Sequence, residues 1–111
     1  MPTPTPPIRL VLTTTGSPGE ASRLARTLVG ERLAACATLI PGVQSIFHWQ
    51  GELDTSTETL LLLKTDPGQL DALQTRLLEL HSYQTPEFLV LGVEGVSHPY
   101  LDWLTASLRQ P

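Results

Sequence analysis

The chain has 111 residues, 41% of them hydrophobic and only 5% aromatic, with a formal charge of −4. That length suits one domain with a modest core of leucine, valine and alanine. The acidic balance, with seven scattered basic residues, excludes an extended nucleic-acid surface, and the lone Cys36 excludes an internal disulfide and fits a reducing, cytoplasmic setting.

Residues 1–7 carry four prolines and no positive charge ahead of a short apolar stretch. They are expected to form an extended, solvated tail rather than a signal peptide or membrane span, leaving one domain over 8–111. Ile8-Arg9-Leu10-Val11-Leu12 opens a strand over 8–15. Ser17-Pro18-Gly19-Glu20 predicts a helix start with Ser17 as cap, Pro18 in the first turn and Glu20 completing a capping box. Ala21, Leu24, Ala25, Leu28 and Val29, with Leu33 a turn on, give one apolar face to a helix over 18–33.

A second strand is expected over 35–49, bent at Pro41-Gly42. Polar residues 51–57 read as a hairpin link to a third strand over 57–65. There the run Leu60-Leu61-Leu62-Leu63 places apolar groups on both faces of the sheet. Asp66-Pro67-Gly68-Gln69 repeats the helix signal, and Leu70, Leu73, Leu77 and Leu80 continue it over 67–80. A fourth strand follows over 87–94. A short C-terminal helix is capped by Ser97, with Leu101, Leu104 and Leu108 on one face.

This β-α-β-β-α-β order with an extra helix is the α+β, ferredoxin-like sandwich pattern. Right-handed crossovers put both main helices on one face of the sheet and leave the other bare. Four strands of about six residues make a plane of roughly 400 Å², near the largest apolar patch a monomer leaves exposed. Covering it is worth on the order of 10 kcal/mol per subunit before association costs. Self-association through the sheets is therefore expected.

Five segments carry a resemblance to a known family. They are Glu31-Arg32-Leu33-Ala34-Ala35-Cys36-Ala37-Thr38-Leu39-Ile40-Pro41-Gly42, Trp49-Gln50-Gly51-Glu52, Leu63-Lys64-Thr65, His81-Ser82-Tyr83-Gln84-Thr85-Pro86-Glu87 and Tyr100-Leu101-Asp102-Trp103-Leu104. Together they resemble the CutA divalent-cation-tolerance family, in its order and spacing, from residue 8 to about 109. The resemblance implies a homotrimer similar in architecture to the PII signalling proteins, with the 35–65 hairpin reaching a neighbouring subunit. It also implies a link to tolerance of copper and other divalent metals, with no established enzymatic activity. In the family a matching His and Glu, with a cysteine near the end of the first strand, have been linked to copper. Here those positions are His81 and Glu87, while the third is Thr13, which offers no soft ligand. Ser82 stands where the family usually has proline.

The residues themselves leave alternatives open. The chain has no CxxC or HxxxH pair, so a preformed zinc site is not expected. His81 is either a ligand of a weak, labile copper or other divalent-cation site, completed across subunits or by water, or a side chain that bonds carbonyls at its helix end. Cys36 is either a small buried hydrophobe packed against a helix or a thiolate. Phe47 and Trp49 share a strand face suited to intersubunit packing or to ligand stacking. Tyr100 and Trp103 are expected to cover the core or a neighbour's hairpin. Lys64 beside the Asp66 cap is either part of an anion site or a solvated lysine. With Trp49 and Tyr83 it defines the alternative function, a trimeric sensor of a small anionic metabolite acting on an unknown protein partner. The absence of asparagine rules out an acylphosphatase-type site. No Walker or GxGxxG motif is present, and no catalytic triad is indicated. The expected role is that of a binding protein, not an enzyme.

Overall fold

The computed structural model describes residues 6–109; most of the proline-rich tail therefore lies outside the described residues. Strand β1 (Arg9–Thr15) leads into helix α1 (Pro18–Gly30). The long strands β2 (Cys36–Trp49) and β3 (Glu52–Thr65) follow. A single 3₁₀ turn (Pro67–Gln69) precedes α2 (Leu70–Leu80), and β4 (Leu89–Gly92) and α3 (His98–Leu108) close the chain. The strands form one antiparallel sheet in the order β2-β3-β1-β4.

Alternation decides the two faces. Val11, Leu61 and Leu63 are fully buried and meet Ala21, Leu24 and Leu28 of α1 with Leu73 and Leu77 of α2. Both helices thus cover the same face, as expected. Leu10, Leu12, Leu60 and Leu62, with the opposite parity, stay only half-buried, and Ile40, Leu89 and Leu91 are exposed. Helix α3 adds a smaller cluster in which Leu104 and Leu108 meet Ile8 and Ala35. Tyr100 and Trp103 stack on each other at 5.5 Å and remain exposed in the single chain.

Several boundaries differ from expectation for identifiable reasons. Helix α1 stops at Gly30, not residue 33. Arg32 takes φ 61°, and the amides of Arg32 and Leu33 turn back to the carbonyls of Val29 and Leu28. This is a Schellman-type stop with arginine in the position glycine usually fills. Its guanidinium then reaches the Ser107 carbonyl at 2.9 Å and ties α1's end to α3. Ser17 caps α1 by accepting the Glu20 amide, but the Glu20 carboxylate leaves the expected capping box for Ser82. Ser97 precedes α3 without a side-chain cap bond. β4 is shorter than the expected 87–94, its four residues pairing with β1 from Leu12 back to Arg9.

The largest correction concerns 51–57. Of these, residues 52–57 are not a polar link but the first part of β3, paired from Trp49↔Glu52 onward. Gln50 and Gly51, both with positive φ, close a two-residue turn of the primed kind. β1 reaches only as far as Thr59, so residues 43–58 pair with nothing but each other. Past the register shift at Pro41-Gly42 the hairpin is therefore a free two-stranded arm.

Candidate functional site: a cleft between the arm and the 81–88 loop

The arm and the 81–88 loop enclose a cleft of about 950 Å³. Trp49 and Phe47 line it from β2, Asp54 and Glu58 from β3, and Tyr83 and Glu87 from the loop. The loop is held by His81. Its side chain is fully buried, with Nε2 2.7 Å from the Thr14 carbonyl and Nδ1 accepting the Tyr83 amide at 3.0 Å. A carbonyl only accepts, so Nε2 carries the proton and the neutral Nε2–H tautomer satisfies both bonds. The ring also lies 4.7 Å from that of Tyr83. His81 thus bonds a strand carbonyl rather than those of its own helix end.

Two carboxylates brace this loop. Glu20 of α1 accepts the Ser82 amide at 2.9 Å and its hydroxyl at 2.8 Å, and lies 3.7 Å from His81 Nδ1. Burial opposes its charge, but the Ser82 bonds outweigh burial and hold it below the ordinary glutamate range. Ser82 is thus the partner of Glu20, a role that proline could not take. Glu58, itself buried, accepts the Tyr83 hydroxyl at 2.7 Å. Burial pushes against its charge too, yet the hydroxyls of Ser45, Tyr83 and Thr14 keep it below the usual range. Tyr83 responds in kind: burial first, and then the Glu58 acceptor, push its phenol up to about 12. Glu87 moves the other way, raised by burial and by the charge of Glu58.

The cleft brings together three of the five expected site residues, Trp49, Tyr83 and Glu87. His81 stands behind it as the anchor of the loop. Lys64 is elsewhere, on the open sheet face, with Nζ 3.1 Å from Thr38 Oγ1 and 3.6 Å from Cys36 Sγ. Cys36 is therefore half-buried beside an ammonium group, not packed under a helix. Thr13 is fully buried on the helix face, and its hydroxyl is the one buried side-chain polar atom without a partner among the described residues. Sequence reasoning missed Glu58, which read as an ordinary surface carboxylate, and gave Glu20 a capping role instead of its bond to the loop; the alternation of β3 alone places Glu58 on the same face as Leu60 and Leu62.

The family model for the CutA1 divalent ion tolerance protein matches residues 9–107. The chain belongs to the CutA family. It is 46% identical to the divalent-cation tolerance protein CutA of Pectobacterium atrosepticum over 90% of this chain and 91% of that one. The solved structure of CutA from Synechococcus elongatus PCC7942 superposes with a TM-score of 0.92 at 43% identity, covering 96% of this chain and 95% of the other. CutA1 from Oryza sativa gives 0.91 at 36% identity, over 96% and 98%. The CutA resemblance carried by the five sequence segments is thereby confirmed across nearly the whole domain.

Proposed function

We propose that this CutA protein is a cytoplasmic homotrimer that contributes to divalent-cation tolerance as a binding protein rather than an enzyme, using the cleft beside the 81–88 loop. One observation carries the assembly: the uncovered sheet face is continuous with an unsupported arm. Ile46, Trp49 and Leu53 on the arm are 64%, 60% and 70% exposed in the single chain. An isolated two-stranded ribbon is marginal in water, so copies of the chain that seal the sheet faces also support the arms. A PII-like trimer meets that need. The single free thiol fits the reducing compartment proposed.

The metal part of this reading is narrower than the family name. Both His81 ring nitrogens are engaged within the protomer. Among the described residues no group of three or more His, Cys, Asp or Glu side chains is arranged to hold an ion. A single protomer does not fit a copper site. A divalent cation such as copper is therefore held weakly, with Glu87 as the protein ligand and the remaining positions filled by water or a neighbouring subunit. The metabolite-sensor alternative keeps its cleft but loses Lys64 from the lining.

Light scattering combined with copper titration tests the reading. A particle three times the 12.1 kDa chain mass is expected, with labile copper binding that is weakened by Glu87→Gln. A soluble particle of single-chain mass at high concentration overturns the assembly, and copper binding insensitive to Glu87→Gln overturns the ligand assignment. Equal copper affinity in wild type and His81→Ala is expected, because both ring nitrogens are already engaged; a large loss of affinity would return the histidine to the site.

A further inference from the structure

Within one protomer the cleft has a chemical bias that suits neither an anion nor a tightly held bare metal ion. Three carboxylates, Asp54, Glu58 and Glu87, face it, and none of the described residues lining it is Lys, Arg or His. Two aromatic side chains on its wall present ring surface to it in the single chain: Trp49 is 60% exposed and Phe47 37%. Glu58 accepts the Tyr83 hydroxyl, and nearby hydroxyls hold its carboxyl below the ordinary glutamate range, so it stands as a negative charge in the wall. Burial and that charge both bear on Glu87, with no hydrogen bond offsetting them.

Each ligand class meets these walls differently. An anion would meet carboxylates with no cation to receive it. A bare metal ion would need three converging ligands, which the described residues do not supply. An organic cation suits both features at once, its charge beside Glu87 and Glu58 and its carbon skeleton against the faces of Trp49 and Phe47.

We propose that the cleft between the arm and the 81–88 loop is a binding site for a small organic ammonium ion, with Trp49 and Phe47 as its aromatic wall and Glu87 as its counter-charge. This inference rests on the cleft being the functional site. It replaces the anionic metabolite of the sensor reading with a cationic one.

Calorimetric titration of the full-length protein tests it with choline as the ammonium probe. Its neutral isostere 3,3-dimethylbutan-1-ol, succinate and copper(II) are the comparators. The expected result is saturable choline binding, at least tenfold weaker binding of the neutral isostere and none of succinate. Trp49→Ala and Glu87→Gln each weaken choline binding about tenfold, the scale of a lost cation–π or charge contact. Lys64→Ala, outside the cleft, leaves it unchanged. Equal binding of choline and the isostere, binding of succinate in place of choline, or no choline binding overturns the inference. The isostere comparison uses wild-type protein, so its outcome does not depend on the variants folding. Molar mass and copper affinity measured on the same samples separate the outcomes. Intact trimer and copper binding without choline binding refute this inference alone, whereas a single-chain mass refutes the assembly beneath it.

Discussion

At the scale of single residues, a core hydroxyl and a polar pair in the cleft wall have opposite fortunes. Thr13 is buried with an unpartnered hydroxyl, a penalty of about 1–3 kcal/mol in an apolar setting. Thr13→Val keeps the shape and removes the orphan. It should raise stability by about 1 kcal/mol, read as a higher urea midpoint at unchanged m-value; a fall in the midpoint would show that the hydroxyl is satisfied after all. The Tyr83–Glu58 pair is satisfied, and its dependence on pH has a definite sign. The folded pKa of Glu58 lies below its ordinary 4.5, so its contribution is present above that pH and disappears as pH falls through the folded value. That of Tyr83 is raised from 10.0 to about 12, so its contribution is present below pH 10 and disappears as pH climbs through the folded value. Tyr83→Phe should therefore destabilise the protein by about 2 kcal/mol at neutral pH, with the difference from wild type shrinking toward both extremes. Denaturation curves recorded across pH for both proteins measure it, and a constant difference would refute the pairing.

At the scale of elements, the arm is the least self-sufficient part of the chain. Its pairing between residues 43 and 58 is entirely internal, and its turn places Gln50 at φ 51°, where a long side chain is disfavoured. Asparagine tolerates that region, and Asn-Gly is the preferred pair for a primed two-residue turn. Gln50→Asn should stabilise the arm by about 0.5–1 kcal/mol, visible as slower amide exchange at residues 43–58. Faster exchange there would mean that the turn is not of the primed kind. The 81–88 loop is the arm's counterpart. It has no regular structure, yet His81, Ser82 and Tyr83 bond it to β1, α1 and β3, which gives the cleft a fixed wall.

At the scale of the whole molecule, the two faces of the sheet have different fates. Helices seal one; half-buried and exposed leucines floor the other. Leu62→Glu places a charge in the middle of the open face without touching the helix-side core. The helical circular dichroism should persist while the particle falls toward the 12.1 kDa chain mass; an unchanged assembly would show that this face is not the contact surface. Much of this was legible in the chain itself. Leucine spacing in 21–33 and 70–80 marked the helices, and four consecutive leucines marked a strand apolar on both sides, because periodicity is a local property of the chain. The five motifs carried the family. Other features depended on contacts between residues far apart. Polar residues 52–57 became strand because β2 supplied the partner, and Glu58 joined the cleft because Tyr83 lies 25 residues away in sequence and 2.7 Å away in space. Lys64 left the expected site because, although it shares a strand face with Glu58, it lies at the far end of β3, paired with Cys36 and close to Thr38. Pattern along the chain determined which segments are helix, strand and core, since hydrophobic burial acts on residues at fixed local spacing. Which side chains share a cleft, and what charge that cleft carries, was decided only when tertiary packing brought the arm beside the loop.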